Sequence, residues 1–193
     1  MRDLIIAVGQ RANSLKWINK KATWEQLCDK LSKTIYTSET VEEYKHFIKE
    51  QKQEAKDHGG FVGGKLSGPK RQKNNVEFRS MVTLDLDDAE LGFIDKFKRD
   101  FEYTCCLYST HGHRPDAPRY RIIIPLSRDV EGDEYVAISR LIADSLGIEQ
   151  VDPVSFTTNQ FLNMEIPANW YESDSESRKW YITGDKDKGF ACS

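Results

Sequence analysis

The feature that most constrains the fold of this chain is a short segment of alternating apolar and polar residues that ends in carboxylates, residues 81–88 (MVTLDLDD). Successive side chains of a β-strand point to opposite faces of a sheet, so the apolar residues share one face and Asp85 and Asp87 share the other. Two neighbouring carboxylates repel each other unless a cation lies between them, and a pair of divalent metal ions would supply that charge and leave positions open for phosphates. The simpler interpretation is that Asp87 and Asp88 are only the polar end of the strand and cap the next helix.

The composition suits one domain with its own core and a wet surface, since the 193 residues are 38% hydrophobic and 31% charged. No apolar run approaches the ~20 residues that span a membrane, and the start is too quickly polar for a signal peptide, so we expect a cytoplasmic protein with no membrane partner. The four cysteines lack C-x-x-C spacing, and Cys105 and Cys106 are adjacent in an apolar segment. Buried, reduced thiols are therefore expected, and no zinc site.

Charge is unevenly distributed along the chain. Residues 1–80 contain 16 Lys and Arg against 10 Asp and Glu, whereas residues 81–193 contain 12 against 21. We expect a single domain over 1–193, with a basic N-terminal lobe over 1–80, a metal-binding catalytic lobe over 81–184 and a frayed tail over 185–193. A basic surface for nucleic acid beside an acidic site for metal would produce this split, although many unrelated proteins share it.

Strand and helix signals alternate without a regular βαβ repeat, which predicts an α+β fold with a mostly antiparallel sheet and flanking helices. Two capping boxes, at Thr23 and Thr40, mark helix starts, and a glycine-rich basic stretch over 59–73 is predicted to be a loop. That loop would present amides and cations to phosphate, or would simply be flexible and solvated. Besides the segment with the two aspartates, the predicted strands are 4–8, 103–110, 119–126, 161–166 and 179–183, and the predicted helices are 23–32, 40–58, 89–101 and 136–146.

Polar residues downstream of the aspartates complete a candidate catalytic set. If the strand after Pro118 alternates, Arg119 and Arg121 share a face, and a preceding strand that ends at His111 could place this imidazole beside Arg121. Asp152, before Pro153, adds a carboxylate at an element boundary, where aspartate is also an ordinary turn residue. Carboxylates that hold metal ions, together with cations that neutralise a leaving pyrophosphate, are what chemistry on a nucleoside triphosphate requires.

With these motifs the chain resembles the archaeo-eukaryotic primase superfamily, in particular primase-polymerases of phages and mobile elements. That superfamily is marked by a D-x-D strand, an S-x-H strand and a later hydrophobic-Asp pair. Here these correspond to residues 85–87, 109–111 and 151–152. The glycine-rich basic loop, the H-x-H turn and the segment P-R-x-R before an apolar run are also similar to the phage branch, so the resemblance covers most of the chain.

The resemblance implies a primase-polymerase catalytic core with an RRM-like half, two Mg²⁺ or Mn²⁺ ions, and addition of NTPs or dNTPs to a primer on a single-stranded DNA template in the cytoplasm of a bacterial host. It further implies a replicative helicase, or a helical C-terminal domain for de novo priming, as possible partners. The implied metal ligands are Asp85, Asp87 and Asp152. The implied nucleotide or phosphate ligands are His111 supported by Ser109, with His113 as a competing choice, and Arg121, Arg119, Lys65, Lys70 and Arg71.

The chain departs from the pattern where the phage branch has an arginine shortly after the third aspartate, because Thr-Thr-Asn-Gln occupies residues 157–160. Two other functions remain as alternatives. A rolling-circle replication endonuclease needs two histidines around a hydrophobic residue, and Gly112 between His111 and His113 is the wrong type. A non-catalytic nucleic-acid-binding module of the same fold would have no need for all three carboxylates.

Overall fold

The computed structural model describes residues 2–33, 37–163 and 181–183. Within these ranges, two antiparallel sheets and five helices form the fold. The first sheet has the strand order β2-β1-β3-β8 and the second β4-β5-β7-β6-β9. The strands are β1 Leu4–Gly9, β2 Ile18–Ala22, β3 Gly60–Val62, β4 Gly64–Leu66, β5 Val76–Leu86, β6 Cys105–Ser109, β7 Tyr120–Val130, β8 Leu162–Asn163 and β9 Tyr181–Thr183. The helices are α1 Trp24–Leu31, α2 Val41–His46, α3 Lys49–Lys56, α4 Phe93–Asp100 and α5 Gly132–Leu146.

The observed architecture confirms the predicted α+β class and its antiparallel pairing. The alternation of β5 is also confirmed. Val82, Leu84 and Leu86 lie in a core with α4 and α5 residues, while Met81, on the opposite face, packs in a second core with β1 and α1. The long strands β5 and β7 are therefore buried on both faces. The thiols of Cys105 and Cys106 are buried, as expected, and so is that of Cys28.

The prediction of one continuous helix over 40–58 is wrong, because residues 47–48 interrupt it and separate α2 from α3. Phe47 and Ile48 have extended backbones, with ψ of 137° and 166°. The side chain of Gln51 accepts a hydrogen bond from the Ile48 backbone N–H at 3.0 Å, so a second helix begins here. Helix α4 likewise begins at Phe93, later than predicted, after Gly92 with φ of 82°.

The predicted loop over 59–73 contains two short strands, β3 and β4. A Cβ on Gly60 would lie 2.2 Å from the Leu162 carbonyl oxygen, and one on Gly64 would lie 2.1 Å from the Phe78 carbonyl oxygen. These glycines therefore permit close approach of neighbouring backbones. Strand β2 was not predicted, because its residues are mostly exposed and polar.

Strands β8 and β9 fall within the predicted strands 161–166 and 179–183. Phe161 precedes β8, and residues 164–166 and 179–180 lie outside the described ranges, as does the predicted tail. None of the described helices is long and apolar enough to cross a membrane.

Candidate active site

The end of β5 that carries the two aspartates opens into a polar cavity of about 170 Å³. Six residues that the sequence singled out line it together, although they come from four places in the chain. They are Asp85, Asp87, His111, Arg119, Arg121 and Asp152. The fold thus brings the main candidate residues into one site.

The pairing of β5 with β7 explains how two arginines reach the aspartates. Asp85 lies directly opposite Arg121 in the sheet, and the Arg121 Nη2 donates to Asp85 Oδ2 at 2.8 Å. Arg119, just before β7, reaches Asp87 Oδ1 from its Nη1 at 3.2 Å. The Arg121 side chain is only 8% exposed and Asp85 20%, so this pair is shielded from water, whereas Arg119 and Asp87 are about 40% exposed.

Backbone pairing also brings the third carboxylate to the end of β5. Leu86 forms an isolated antiparallel bridge with Val151, and the Asp152 N–H donates to the Asp85 carbonyl at 2.8 Å. In return, the Asp85 N–H donates to Ser155 Oγ at 2.9 Å. Asp152 also caps the following short 3₁₀ turn, because its Oδ1 accepts from the Val154 N–H at 2.9 Å. The turn role and the position beside Asp85 therefore coexist.

The electrostatics of the cavity reflect the crowding of like charges. Burial, reinforced by the nearby charge of Asp85, raises the pKa of Asp87, while Arg119 partly opposes the shift. Burial and repulsion by Arg121 lower the pKa of Lys56, which also lines the cavity. The charge of Asp152 contributes to the raised pKa of Asp87, so the three carboxylates interact through space.

The carboxylates offer the oxygen ligands that Mg²⁺ and Mn²⁺ prefer. The Oδ1 atom of Asp85 is buried without a hydrogen-bond partner, which is costly unless a cation or another donor binds there. Within the described residues, no three His, Cys, Asp or Glu side chains are already grouped closely enough to hold a metal. Metal binding by this set would therefore require Asp85 and Asp87 to turn from their arginine partners.

His111 also lines the cavity, and it is held by Glu39, just before α2, and by Tyr44 of α2. Its Nε2 lies 3.1 Å from Glu39 Oε1, and its ring meets the edge of Tyr44 at 4.5 Å between centroids. Burial lowers the pKa of His111, although the Glu39 carboxylate opposes the shift. The imidazole is thus fixed by contacts on two sides.

The other histidine candidate does not line the cavity. The His113 Nδ1 lies 3.1 Å from both the backbone nitrogen and the carbonyl oxygen of Arg119, and its ring packs on Tyr120. Burial lowers the pKa of His113. Ser109 lies at the buried end of β6 and pairs with Tyr120, also outside the cavity lining. Both residues are placed to support the loop that carries His111.

The three basic candidates of the glycine-rich stretch also lie outside the cavity lining. Lys65 pairs with Glu77 at 2.6 Å, and Lys70 is exposed on a turn. Arg71 donates to the carbonyl oxygens of Ala12 and Asn159, at 3.0 and 2.8 Å. Its role in this structure is to bind other loops.

Residues 157–160, where the resemblance leads one to expect an arginine, are held by arginines from elsewhere. Besides the contact of Arg71 with Asn159, the fully buried Arg79 donates to the Thr158 carbonyl at 2.7 Å and to Thr83 Oγ1 at 2.7 Å. Thr83 in turn donates to Gln160 Oε1 at 2.5 Å. A buried polar network therefore ties the loop after Asp152 to β5.

Sequence reasoning missed four residues of the site: the cavity-lining Tyr44, Lys56 and Asn163, and Glu39 beside His111. The Asn163 carbonyl accepts from Arg121 Nη1 at 3.3 Å. Nothing in the local sequence marks them, because Lys56 is one of many lysines and the others reach the site through packing of the N-terminal segments and β8.

Comparison with known proteins assigns a family. The profile of the VapE N-terminal domain matches residues 1–182, and the chain belongs to that family. Among solved structures, the chain is similar to the AEP domain of a primase-polymerase from cyanophage S-2L, with 9% sequence identity and a TM-score of 0.44. The similarity covers 83% of this chain and 72% of that chain. No curated protein matches. The family match, like the resemblance seen in the sequence, covers most of the chain.

Proposed function

We propose that this chain is the catalytic domain of a DNA-dependent nucleotidyltransferase that extends a primer 3′-hydroxyl during phage or mobile-element replication. The observation that carries the proposal is the convergence of three carboxylates, two arginines, a lysine and a histidine on one cavity. This charge pattern suits a triphosphate whose negative charge grows on the leaving pyrophosphate. The likeness to a primase-polymerase domain is consistent with it.

Asp85, Asp87 and Asp152 would hold the divalent ions, Mg²⁺ or Mn²⁺. Bound there, the ions would neutralise the phosphates and lower the pKa of the attacking hydroxyl. The unpartnered Oδ1 of Asp85 supports this assignment. Arg121 and Arg119 now neutralise Asp85 and Asp87, and would be free to bind phosphate once the carboxylates bind metal.

The remaining cavity residues would orient the nucleotide. His111 is fixed by Glu39 and Tyr44, and an immobilised imidazole can contact a phosphate without further loss of side-chain freedom. Lys56 has a lowered pKa because of burial and Arg121, and an arriving anion would relieve that repulsion. We place Lys56 and Arg121 at the triphosphate, with the template and primer strands approaching from outside the cavity.

The two alternative functions fare differently. A rolling-circle endonuclease needs its two histidines on one metal, but His111 lines the cavity, whereas His113 is outside the lining and packs on Tyr120. A non-catalytic binding module is favoured by one observation, the pairing of both β5 aspartates with arginines. Metal-dependent catalysis decides between that module and the enzyme.

The test is extension of a labelled primer on a single-stranded DNA template with Mg²⁺ or Mn²⁺ and either dNTPs or NTPs. We expect extension by the wild-type protein and none by Asp85→Asn/Asp87→Asn. The matched control is Asp95→Asn/Asp116→Asn, which removes two exposed carboxylates that do not line the cavity and should retain activity. Equal activity in the site variant, or no extension under any of these conditions, would contradict the proposal.

A further inference from the structure

A second cavity, distinct from the candidate active site and called the groove below, lies on the first sheet. It has a volume of about 720 Å³, and the chain around it includes Lys16, Lys20, Lys30 and His58. All three lysines are exposed, and none of the described residues that line the groove is acidic. The groove therefore attracts an anion, in a chain whose net charge is −3.

The alternation of β2 explains why lysine and apolar side chains share the groove. Asn19 points away and exchanges two hydrogen bonds with the Leu66 backbone, at 2.8 and 3.0 Å. Its neighbours Ile18 and Lys20 lie on the other face, and both line the groove. Leu15 and Ile18 are 76% and 49% exposed, so apolar surface reaches solvent beside the lysines. The groove thus combines cations with exposed apolar surface.

The groove is joined to the candidate active site by a short piece of chain. Lys56, at the end of α3, lines the first cavity, and His58 to Gly60 line the groove. The charges of Lys56 and His58 both contribute to the lowered pKa of His111, which places them within electrostatic range of the catalytic cavity. A polymer that leaves the first cavity past Lys56 would therefore meet the groove.

We infer that this groove binds a single-stranded nucleic acid, the strand that enters or leaves the candidate active site, with Lys16, Lys20 and Lys30 on its phosphates and Leu15 and Ile18 on its bases. A single strand fits better than a duplex because its bases are accessible to apolar side chains, whereas a duplex stacks and pairs them. The identity of the bound strand rests on the proposed function. The expectation that the groove binds an anionic polymer rests only on its charge and shape.

The test is fluorescence anisotropy of a labelled single-stranded DNA of about 20 nucleotides, longer than one such binding site. The groove variant is Lys16→Gln/Lys20→Gln/Lys30→Gln. The control is Lys96→Gln/Lys98→Gln/Arg99→Gln on α4, which removes the same charge elsewhere. A single-strand phosphate contact contributes about 0.7 to the slope of log affinity against log salt, so the groove variant should lower that slope by about 2 and weaken binding about 100-fold at 0.1 M salt.

Several results would overturn the inference. One is an equal loss of affinity in the groove and α4 variants; another is an unchanged salt slope in the groove variant; a third is tighter lysine-dependent binding of the duplex of the same sequence. A thermal unfolding midpoint equal to that of the wild type shows that the groove variant is folded, and Lys20→Gln alone should reduce the slope by about 0.7.

Primer extension separates the two proposals. If the wild type does not extend primers but DNA binding still depends on the groove lysines, the catalytic proposal fails and the groove proposal stands. If the wild type extends primers and the groove variant binds and extends equally well, the groove proposal fails and the catalytic proposal stands.

Discussion

Substitution of the buried Arg79 by methionine tests whether the polar network behind the candidate active site stabilises the fold. Arg79 is fully buried and donates to the carbonyl oxygens of Gly63, Thr158 and Met81 and to Thr83 Oγ1. Its guanidinium stacks on the Tyr135 ring at 4.1 Å. Burial lowers the pKa of Arg79, which is the electrostatic sign of an expensive buried charge.

The magnitude depends on which of two opposed effects is larger. The Gly63 carbonyl already accepts from the Ser80 N–H at 2.9 Å, so the bonds to Thr158 and Thr83, both 2.7 Å, are the ones that matter. Hydrogen bonds from a charged donor contribute about 1.5–3 kcal/mol each, and an unsatisfied buried acceptor costs about 1–3 kcal/mol. Methionine removes the desolvation cost of the charge, which offsets part of this loss. We expect a net loss of about 2–4 kcal/mol.

The assay is urea unfolding of the wild type, Arg79→Met and Arg79→Lys. A loss of about 2–4 kcal/mol would also lower the unfolding midpoint temperature by about 5–15 °C in a chain of this size. The lysine variant keeps the charge but has fewer donors, so its loss should equal or exceed that of methionine. A methionine variant as stable as the wild type would refute the reasoning, because the cost of burying the charge would then outweigh the network.

Three further predictions concern packing, pH and ion pairing. Gly64→Ala should lower the free energy of unfolding by about 3 kcal/mol, because the added Cβ would lie only 2.1 Å from the Phe78 carbonyl oxygen. Gly68→Ala is the control in the same assay and should change it little, since its nearest neighbour is 3.9 Å away. Burial lowers the pKa of His111 and His113, so the unfolded chain binds more protons near pH 6 and stability should fall as pH drops below about 6.5. His111→Gln/His113→Gln should flatten this dependence of the unfolding free energy on pH. An unchanged dependence would contradict its assignment to these two histidines. Arg121→Met leaves the Asp85 carboxylate, which is only 20% exposed, without its ion-pair partner. The free energy of unfolding, measured with urea, should fall by about 2–4 kcal/mol. A loss under about 1 kcal/mol would show that water screens the pair.

The parts of the site that lie on regular strands were predictable from the sequence. The alternation around Asp85 and Arg121 places both side chains on faces that the observed pairing of β5 and β7 confirms. Strand β2 escaped prediction because its exposed lysines carry no apolar alternation, and the break between α2 and α3 depends on a second helix start at Ile48. Local pattern does not encode these features.

The residues that complete the site depend on tertiary packing. Lys56 and Asn163 reach the cavity from α3 and β8, more than a hundred residues apart in sequence. Glu39, just before α2, contacts His111 although the two residues are 72 positions apart in the sequence. The basic candidates Lys65 and Arg71 came from the composition of the glycine-rich stretch and from the resemblance, and the fold gives them partners outside the cavity.

The most direct test of the central claim, that the three carboxylates form a metal site despite their arginine partners, is the amount of Mn²⁺ bound, measured from the electron paramagnetic resonance signal of the free ion. We predict that the wild-type protein removes Mn²⁺ from solution, and more strongly with a nucleoside triphosphate present, since phosphates would compete for Arg119 and Arg121. Asp85→Asn/Asp87→Asn should bind little, and Asp95→Asn/Asp116→Asn should bind like the wild type. Equal binding by all three proteins, or no binding by the wild type with the triphosphate present, would contradict the account.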